Sequence, residues 1–180
     1  MDMYKLKFTT LQNEIFRLFC IKAGISLNQR EVARLLRVSP TAIAKSLKTL
    51  EEEKLIKIEK IKTMNLIALS LNRDDQKGMI LKKIENLKMI YESGLVEFLE
   101  EKFPGTSIIL FGSYSKGEDT IKSDLDIAII GSKEKNIDLS EFDKKLERTI
   151  NLNFYESFNM DKHLKNNILN GIILIGGIEL

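Results

Sequence analysis

The C-terminal half of the chain contains one especially informative stretch, residues 109–130, which reads ILFGSYSKGEDTIKSDLDIAII. Its apolar ends predict strands over Ser107–Phe111 and Leu125–Ile130. The glycines between them, at Gly112 and Gly117, predict a tight turn that opens into a short helix. The stretch therefore predicts two strands joined through a glycine turn.

Two groups in this stretch have the chemistry to bind a nucleotide. Glycine at position 112 lets a triphosphate approach the backbone, and the Ser113 hydroxyl with the first helix amides can donate to its oxygens. Asp124 and Asp126 are two residues apart, so on a strand both carboxylates share one face while Leu125 points to the other. Paired carboxylates can hold Mg²⁺, which binds phosphates at the same time.

The spacing of Gly-Ser, ten residues and Asp-x-Asp resembles the nucleotidyltransferase superfamily that includes DNA polymerase beta, and most closely its minimal branch. The resemblance spans about residues 95–180. It implies a nucleoside triphosphate and Mg²⁺ or Mn²⁺ as ligands, with a hydroxyl acceptor and release of pyrophosphate. The implied metal-binding and catalytic residues are Asp124 and Asp126, and the implied nucleotide-binding residues are Gly112, Ser113 and Lys116.

The family's usual third carboxylate is missing from the pattern. It normally comes from the next core strand, which is predicted over residues 150–155 and offers Asn151 and Asn153. An amide oxygen is neutral and takes no proton from an attacking hydroxyl, so transfer is expected to be slow or undetectable. Glu156, just beyond this strand, is the alternative source of the third carboxylate.

The N-terminal half predicts helix, short strand, helix, turn, helix and hairpin. Its central stretch, residues 27–60, reads LNQREVARLLRVSPTAIAKSLKTLEEEKLIKIEK. Ser39 as N-cap and Pro40 at the first helical position predict a helix over about 40–53. Helical spacing then divides this helix into two faces. The apolar face has Ile43, Leu47 and Leu50, and the opposite face has Thr41, Lys45 and Lys48.

This half resembles the winged helix-turn-helix domains of bacterial and archaeal transcription regulators over residues ~9–71. The resemblance implies that the helix beginning at Pro40 enters the major groove of duplex DNA. The implied contacts are Lys45 and Lys48 on phosphates, Thr41 nearest the bases, Arg37 beside them, and Lys60 and Lys62 at the hairpin tip.

The net charge also differs between the N-terminal and C-terminal parts of the 180 residues. Residues 1–72 hold 13 Lys and Arg against 7 Asp and Glu, a net charge of +6, whereas residues 73–180 have a net charge of −4. The basic half is therefore expected to bind a polyanion. The boundaries predicted are 1–72 for the winged helix, 73–103 for a linker helix and 104–180 for the nucleotidyltransferase-like domain. The fold class is α+β, with a mixed sheet in the second domain.

The amino-acid composition indicates where in the cell the protein is expected. A single cysteine excludes a disulfide framework, and the apolar runs are too short to cross a membrane, so a cytoplasmic protein is expected. The linker helix has an apolar stripe that includes Ile80, Ile84, Leu87 and Tyr91, and it is a candidate element for a homodimer.

Three functions remain open from the sequence. The first is a DNA-binding protein whose second domain binds a nucleotide and transfers a nucleoside monophosphate. The second is a transcription regulator whose degenerate nucleotidyltransferase domain senses a ligand or mediates dimerisation. The third is an antitoxin-like protein that modifies a partner protein as its acceptor.

Overall fold

The computed structural model describes residues 8–61 and 66–178. Its contacts divide the chain between Met79 and Ile80 into two compact units. Among the described residues no helix is both long and apolar enough to span a membrane.

The first unit has the order of a winged helix, as predicted. A three-stranded antiparallel sheet, ordered β1-β3-β2, packs with three helices. Its elements are α1 (Thr10–Ile21), β1 (Leu27–Asn28), α2 (Gln29–Leu35), α3 (Pro40–Glu52), β2 (Ile56–Ile61) and β3 (Leu66–Leu71).

Local capping signals explain where the helices of this unit begin. The Asn28 side chain accepts from the Glu31 amide at 3.0 Å, and the Glu31 carboxylate accepts from the Asn28 amide at 2.6 Å. The Ser39 hydroxyl accepts from the Ala42 amide at 3.2 Å, with Pro40 as the first helical residue. Each cap satisfies an amide that the helix leaves without a partner. The predicted start of α3 is therefore confirmed.

The second unit contains a four-stranded mixed sheet in the order β6-β5-β4-β7. Strands β5 and β6 are parallel, and the other neighbours are antiparallel. The strands predicted over Ser107–Phe111, Leu125–Ile130 and residues 150–155 have the bounds that the sequence predicts. The elements that follow the first unit are α4 (Gln76–Ser93), α5 (Leu95–Lys102), β4 (Ser107–Phe111), α6 (Gly112–Lys116), β5 (Leu125–Ile130), α7 (Ser140–Leu146), β6 (Ile150–Tyr155), α8 (Lys162–Leu169) and β7 (Ile172–Ile175).

The segment expected as a linker helix over residues 73–103, with Ser93-Gly94 as the point of a break or bend, consists of two helices. Gly94 separates α4 from α5 with a φ of +81°, a conformation that glycine adopts readily. The contacts place the division of the chain at 79/80, whereas the sequence suggested boundaries at 72/73 and 103/104. Most of the expected linker therefore belongs to the second unit.

The central strands of the mixed sheet provide rigid support for the glycine turn. Side chains on both faces of β4 and β5 are buried, among them Ile108, Ile109, Ile127 and Ile129. Ile168 of α8 packs on one face against Ile109 and Ala128. Buried strands hold their ends in fixed positions, which is where Gly112 and Asp126 lie.

Candidate functional site

The glycine turn and the second aspartate touch at the end of the sheet. Phe111, the last residue of β4, pairs with Asp126 of β5, so Gly112 lies directly beside that aspartate. Gly112 has a φ of +75°, and a Cβ atom at this position would lie 2.8 Å from Asp126 Oδ2. Only glycine fits here, because a side chain would both strain the backbone and displace the carboxylate.

The other predicted nucleotide-site residues lie on α6 and at the start of β5. Asp124 is exposed and lies one residue before β5, while Leu125 between the two aspartates is fully buried. Asp124 therefore lies at the end of the loop that leads into β5, in keeping with the predicted strand bounds, and Leu125 points away from the site as predicted. Ser113 is half-buried at the second position of α6, and Lys116 is exposed at its last position.

The residue beside Asp126 on the neighbouring strand is Asn151. The parallel register pairs these two residues, and Asn151 Nδ2 lies 3.4 Å from Asp126 Oδ1. Asn153 pairs with Ala128 instead, and its Nδ2 lies 3.5 Å from the carbonyl oxygen of Ile127. An amide group therefore occupies the position next to Asp126 from which a third carboxylate would act.

Glu156 does not fill this role. It follows β6 at the opposite end, beside a cavity that Ser107 at the start of β4 also lines. Asp126 instead pairs with the last residue of β4. Along β6, Glu156 lies five residues beyond Asn151, a distance of about 16 Å. The alternative that Glu156 supplies the third carboxylate is therefore wrong, because the strand direction carries it away from the site.

The donor set fits one Mg²⁺ or Mn²⁺ shared with nucleotide phosphates. Magnesium commonly binds one or two carboxylates and takes its remaining ligands from phosphate and water. Asp124 and Asp126 supply two such carboxylates, and the absence of a Cβ at Gly112 leaves room beside them. In the described ranges no three His, Cys, Asp or Glu side chains come together as metal ligands.

Tyr155 lies on the same strand as Asn151, and the charge of Asp126 affects its pKa. Burial, and secondly the negative charge of Asp126, raise the pKa of its phenol above the ordinary value of 10.0. Tyr155 therefore stays neutral near pH 7, and packs with the cluster around Ile109.

The predicted DNA-binding residues lie on the surface of α3 and the preceding turn. Thr41, Lys45 and Lys48 are exposed. The residues on the opposite side of the helix are buried, namely Ile43, Leu47 and Leu50. Periodicity therefore predicts the two faces correctly.

Three further basic residues were predicted to contact DNA. Arg37 is exposed in the turn before α3 with a φ of +55°, and Lys60 is exposed on β2. Lys62, expected at the hairpin tip, lies outside the described residues. Ser46 of α3 is buried and donates to the Ala42 carbonyl oxygen at 3.1 Å.

A comparison with known protein families finds a match within the second unit. Residues 92–175 match the family model described as the nucleotidyltransferase domain, over a little under half of the chain. These residues include the glycine turn and both aspartates. The second unit contains a nucleotidyltransferase domain. Curated protein sequences provide no match to the chain.

Solved structures of regulators match the N-terminal part of the chain. One is ZitR from Lactococcus lactis, a zinc-responsive MarR family member, at 24% identity and a TM-score of 0.42, covering 56% of this chain and 67% of that one. Another is AdcR, the adhesin competence repressor of Streptococcus pyogenes, at 17% identity and a TM-score of 0.44, covering 58% and 72%. A ZitR variant in complex with DNA matches at 24% identity and a TM-score of 0.43, covering 57% and 66%.

The second unit also contains a buried ionic cluster that sequence reasoning missed. Asp119 is fully buried and pairs with Lys82, which is equally buried, and with Arg148 Nη2 at 3.0 Å. Asn86 Nδ2 donates to Asp119 Oδ1 at 2.7 Å and to the Tyr114 carbonyl oxygen at 3.0 Å. The cluster joins α4, α6 and Arg148, two residues before β6, to the loop that ends at Asp124. It therefore holds that loop in position.

Proposed function

We propose that the protein is a DNA-binding regulator whose nucleotidyltransferase domain binds a nucleoside triphosphate with Mg²⁺ but transfers its nucleotide slowly. The observation that carries this proposal is Asn151, in register with Asp126 beside the Gly112 turn. A cytoplasmic location is part of the proposal and is supported by the single cysteine, which is buried.

The donors favour binding of a triphosphate at the glycine turn. Gly112 leaves space for phosphate against the backbone, and Ser113 and Lys116 add a hydroxyl and a positive charge at the surface of α6. Asp124 and Asp126 would hold the metal that neutralises the phosphates. When bound, Mg²⁺ lowers the pKa of a hydroxyl beside it and stabilises charge on the transferred group.

The same arrangement disfavours rapid transfer. A hydroxyl acceptor next to Asp126 would meet the Asn151 amide, which carries no negative charge and cannot take its proton at neutral pH. General base catalysis contributes about 10²–10⁴-fold in enzymes that use it. The domain therefore retains binding groups and lacks the group that usually activates the acceptor, which favours ligand sensing over turnover.

Substitution of Gly112 tests nucleotide binding with a matched control. Gly112→Ala and Gly105→Ala place alanine at φ values of +75° and +77°, so both pay a similar backbone strain of about 1–2 kcal/mol. The new Cβ atom at residue 112 would contact Asp126, whereas a Cβ atom at residue 105 would have no atom within 4 Å. We expect Gly112→Ala to weaken Mg²⁺-dependent binding of ATP by about tenfold or more in calorimetry, a loss of about 1.4 kcal/mol, and Gly105→Ala to leave it unchanged.

Metal dependence completes this test. The unmodified protein should bind ATP only with Mg²⁺ or Mn²⁺, and Asp124→Ala should abolish this metal-dependent binding. Equal affinity with and without metal, or equal losses in the two glycine variants, would contradict the proposed site.

The DNA-binding face of α3 is tested through the salt dependence of binding. Lys45→Ala/Lys48→Ala removes two exposed positive charges, so the slope of log K against log salt for duplex DNA should fall in magnitude by about 1.8. Fluorescence anisotropy over a range of salt concentrations measures this slope. The control is Lys133→Ala/Lys135→Ala, which removes the same charge from exposed lysines of the second unit. No duplex binding at low salt, or equal slopes for both double variants, would reject the DNA-binding proposal.

A further inference from the structure

Helix α4 exposes several of its apolar residues and buries two of its polar ones. Ile80 and Ile84 are 52% and 56% exposed, and Tyr91 is 43% exposed. Lys82 and Asn86 of the same helix are 0% and 1% exposed. Exposed isoleucines and a buried lysine on one helix are the reverse of the usual distribution, so the outer face needs an explanation.

The ionic cluster prevents α4 from turning its apolar face inward. Lys82 and Asn86 both bind Asp119, and Asn86 also binds the Tyr114 carbonyl oxygen. A rotation of the helix about its axis would bring Lys82 and Asn86 to the surface. The Asp119 carboxylate would then stay buried without Lys82. Breaking a buried pair in this way is strongly unfavourable. The outer face is therefore a stable feature of the domain.

The apolar side chains on this face form one straight line. Ile80, Ile84, half-buried Leu87 and Tyr91 follow at intervals of four, three and four residues, which places them on one side of a helix over about 16 Å. This spacing is the pattern by which one helix packs along another. An exposed line of this kind marks a protein-binding surface.

Positive charge borders the line on both sides. Lys83 and Lys88 are exposed and flank the apolar side chains, and Lys88 also lies 3.6 Å from Glu92 on the next turn. If two copies of α4 packed along this line in parallel, Lys83 of one copy would face Lys88 of the other, and in an antiparallel pair each lysine would lie on the same side as its counterpart. Like charges in these flanking positions disfavour the pairing, so the lysines argue against this line as the seam of a homodimer.

We propose that the outer face of α4, defined by Ile80, Ile84, Leu87 and Tyr91, binds an amphipathic helix of another protein that carries acidic residues beside its own apolar line. Apolar contact along three turns supplies the area, and the acidic flanks pair with Lys83 and Lys88. This inference stands independently of nucleotide or DNA binding.

A pair of synthetic peptides tests the proposal on the full-length protein. Both are 18-residue helices with leucine at the same four-three-four spacing, one with glutamate and one with lysine at the flanking positions. We expect the glutamate peptide to bind at least tenfold more tightly in calorimetry at low salt. Ile84→Gln should weaken that binding at least tenfold, whereas Ile173→Gln, which alters an isoleucine 43% exposed on β7, should not.

Charge reversal and self-association provide the deciding outcomes. Lys83→Glu/Lys88→Glu should reverse the preference toward the lysine peptide, since only the flanking charges have changed. Equal binding of the two peptides, no binding of either, or equal effects of the two isoleucine substitutions would overturn the proposal. It would also be overturned if sedimentation showed a dimer that Ile84→Gln converts to a monomer, because the face would then belong to a second copy.

Discussion

Asn151→Asp is expected to raise nucleotidyl transfer by about 10²–10⁴-fold, the usual contribution of a general base. The substitution puts a carboxylate next to Asp126, where the amide Nδ2 now lies 3.4 Å from Asp126 Oδ1. The new group can accept the proton of an acceptor hydroxyl, and it adds a negative charge that favours a second divalent ion. Release of labelled pyrophosphate from each triphosphate, with nucleic-acid ends and proteins as acceptors, measures the gain.

Asn153→Asp is the matched control for this experiment. It makes the same chemical change on the same strand, but its register partner is Ala128, about 7 Å farther along the strand from Asp126. We expect no gain in transfer from Asn153→Asp and a rise in Mn²⁺ affinity only for Asn151→Asp. Rapid transfer by the unmodified protein, or equal Mn²⁺ affinity in the two variants, would show that Asn151 does not occupy the third carboxylate position.

Asp119→Asn is expected to destabilise the second unit by about 3–5 kcal/mol, the usual effect of removing one partner of a buried ion pair. The variant keeps the shape of the side chain but leaves the charges of Lys82 and Arg148 buried without this carboxylate. Urea unfolding followed by fluorescence or circular dichroism measures the change in the free energy of unfolding.

Glu134→Ala provides the control for loss of one negative charge, because Glu134 is exposed and should change the stability little. Asp119→Asn should also weaken Mg²⁺-dependent ATP binding in conditions where the variant is folded, since Asp119 and Asp124 belong to one loop. A similar free energy of unfolding for Asp119→Asn and Glu134→Ala would contradict the assigned role of the cluster.

Local patterns were enough to predict most of the elements. The caps at Asn28 and Ser39 bind amides three residues away, so the sequence around each helix start already contains both partners. The strands at Ser107–Phe111 and Leu125–Ile130 follow from short apolar runs bounded by glycine and charged residues. The Gly112 turn was also predictable, because glycine at a strand end commonly marks a positive φ or a close approach.

The site itself was predictable only in part. Sequence spacing brought Gly112 and Asp126 together, and it offered Asn151, Asn153 and Glu156 as neighbours without choosing among them. The residue that lies beside Asp126 depends on how β6 is aligned with β5. Asn151 and Asn153 are two residues apart and share a face of the strand, so the sequence pattern fits either of them. The parallel register selects Asn151 and moves Glu156 to the far end of the sheet.

The amino-acid sequence alone determines where helices and strands begin, which residues share a face and where glycine is required, because these depend on neighbours within a few positions. The tertiary structure determines which face of α4 is buried. Asp119 meets Lys82 and Arg148 across 37 and 29 residues of chain, and no local pattern encodes such pairs. Once buried together, these charges hold Lys82 inside and leave Ile80 and Ile84 at the surface, since separating a buried ion pair is less favourable than exposing apolar side chains.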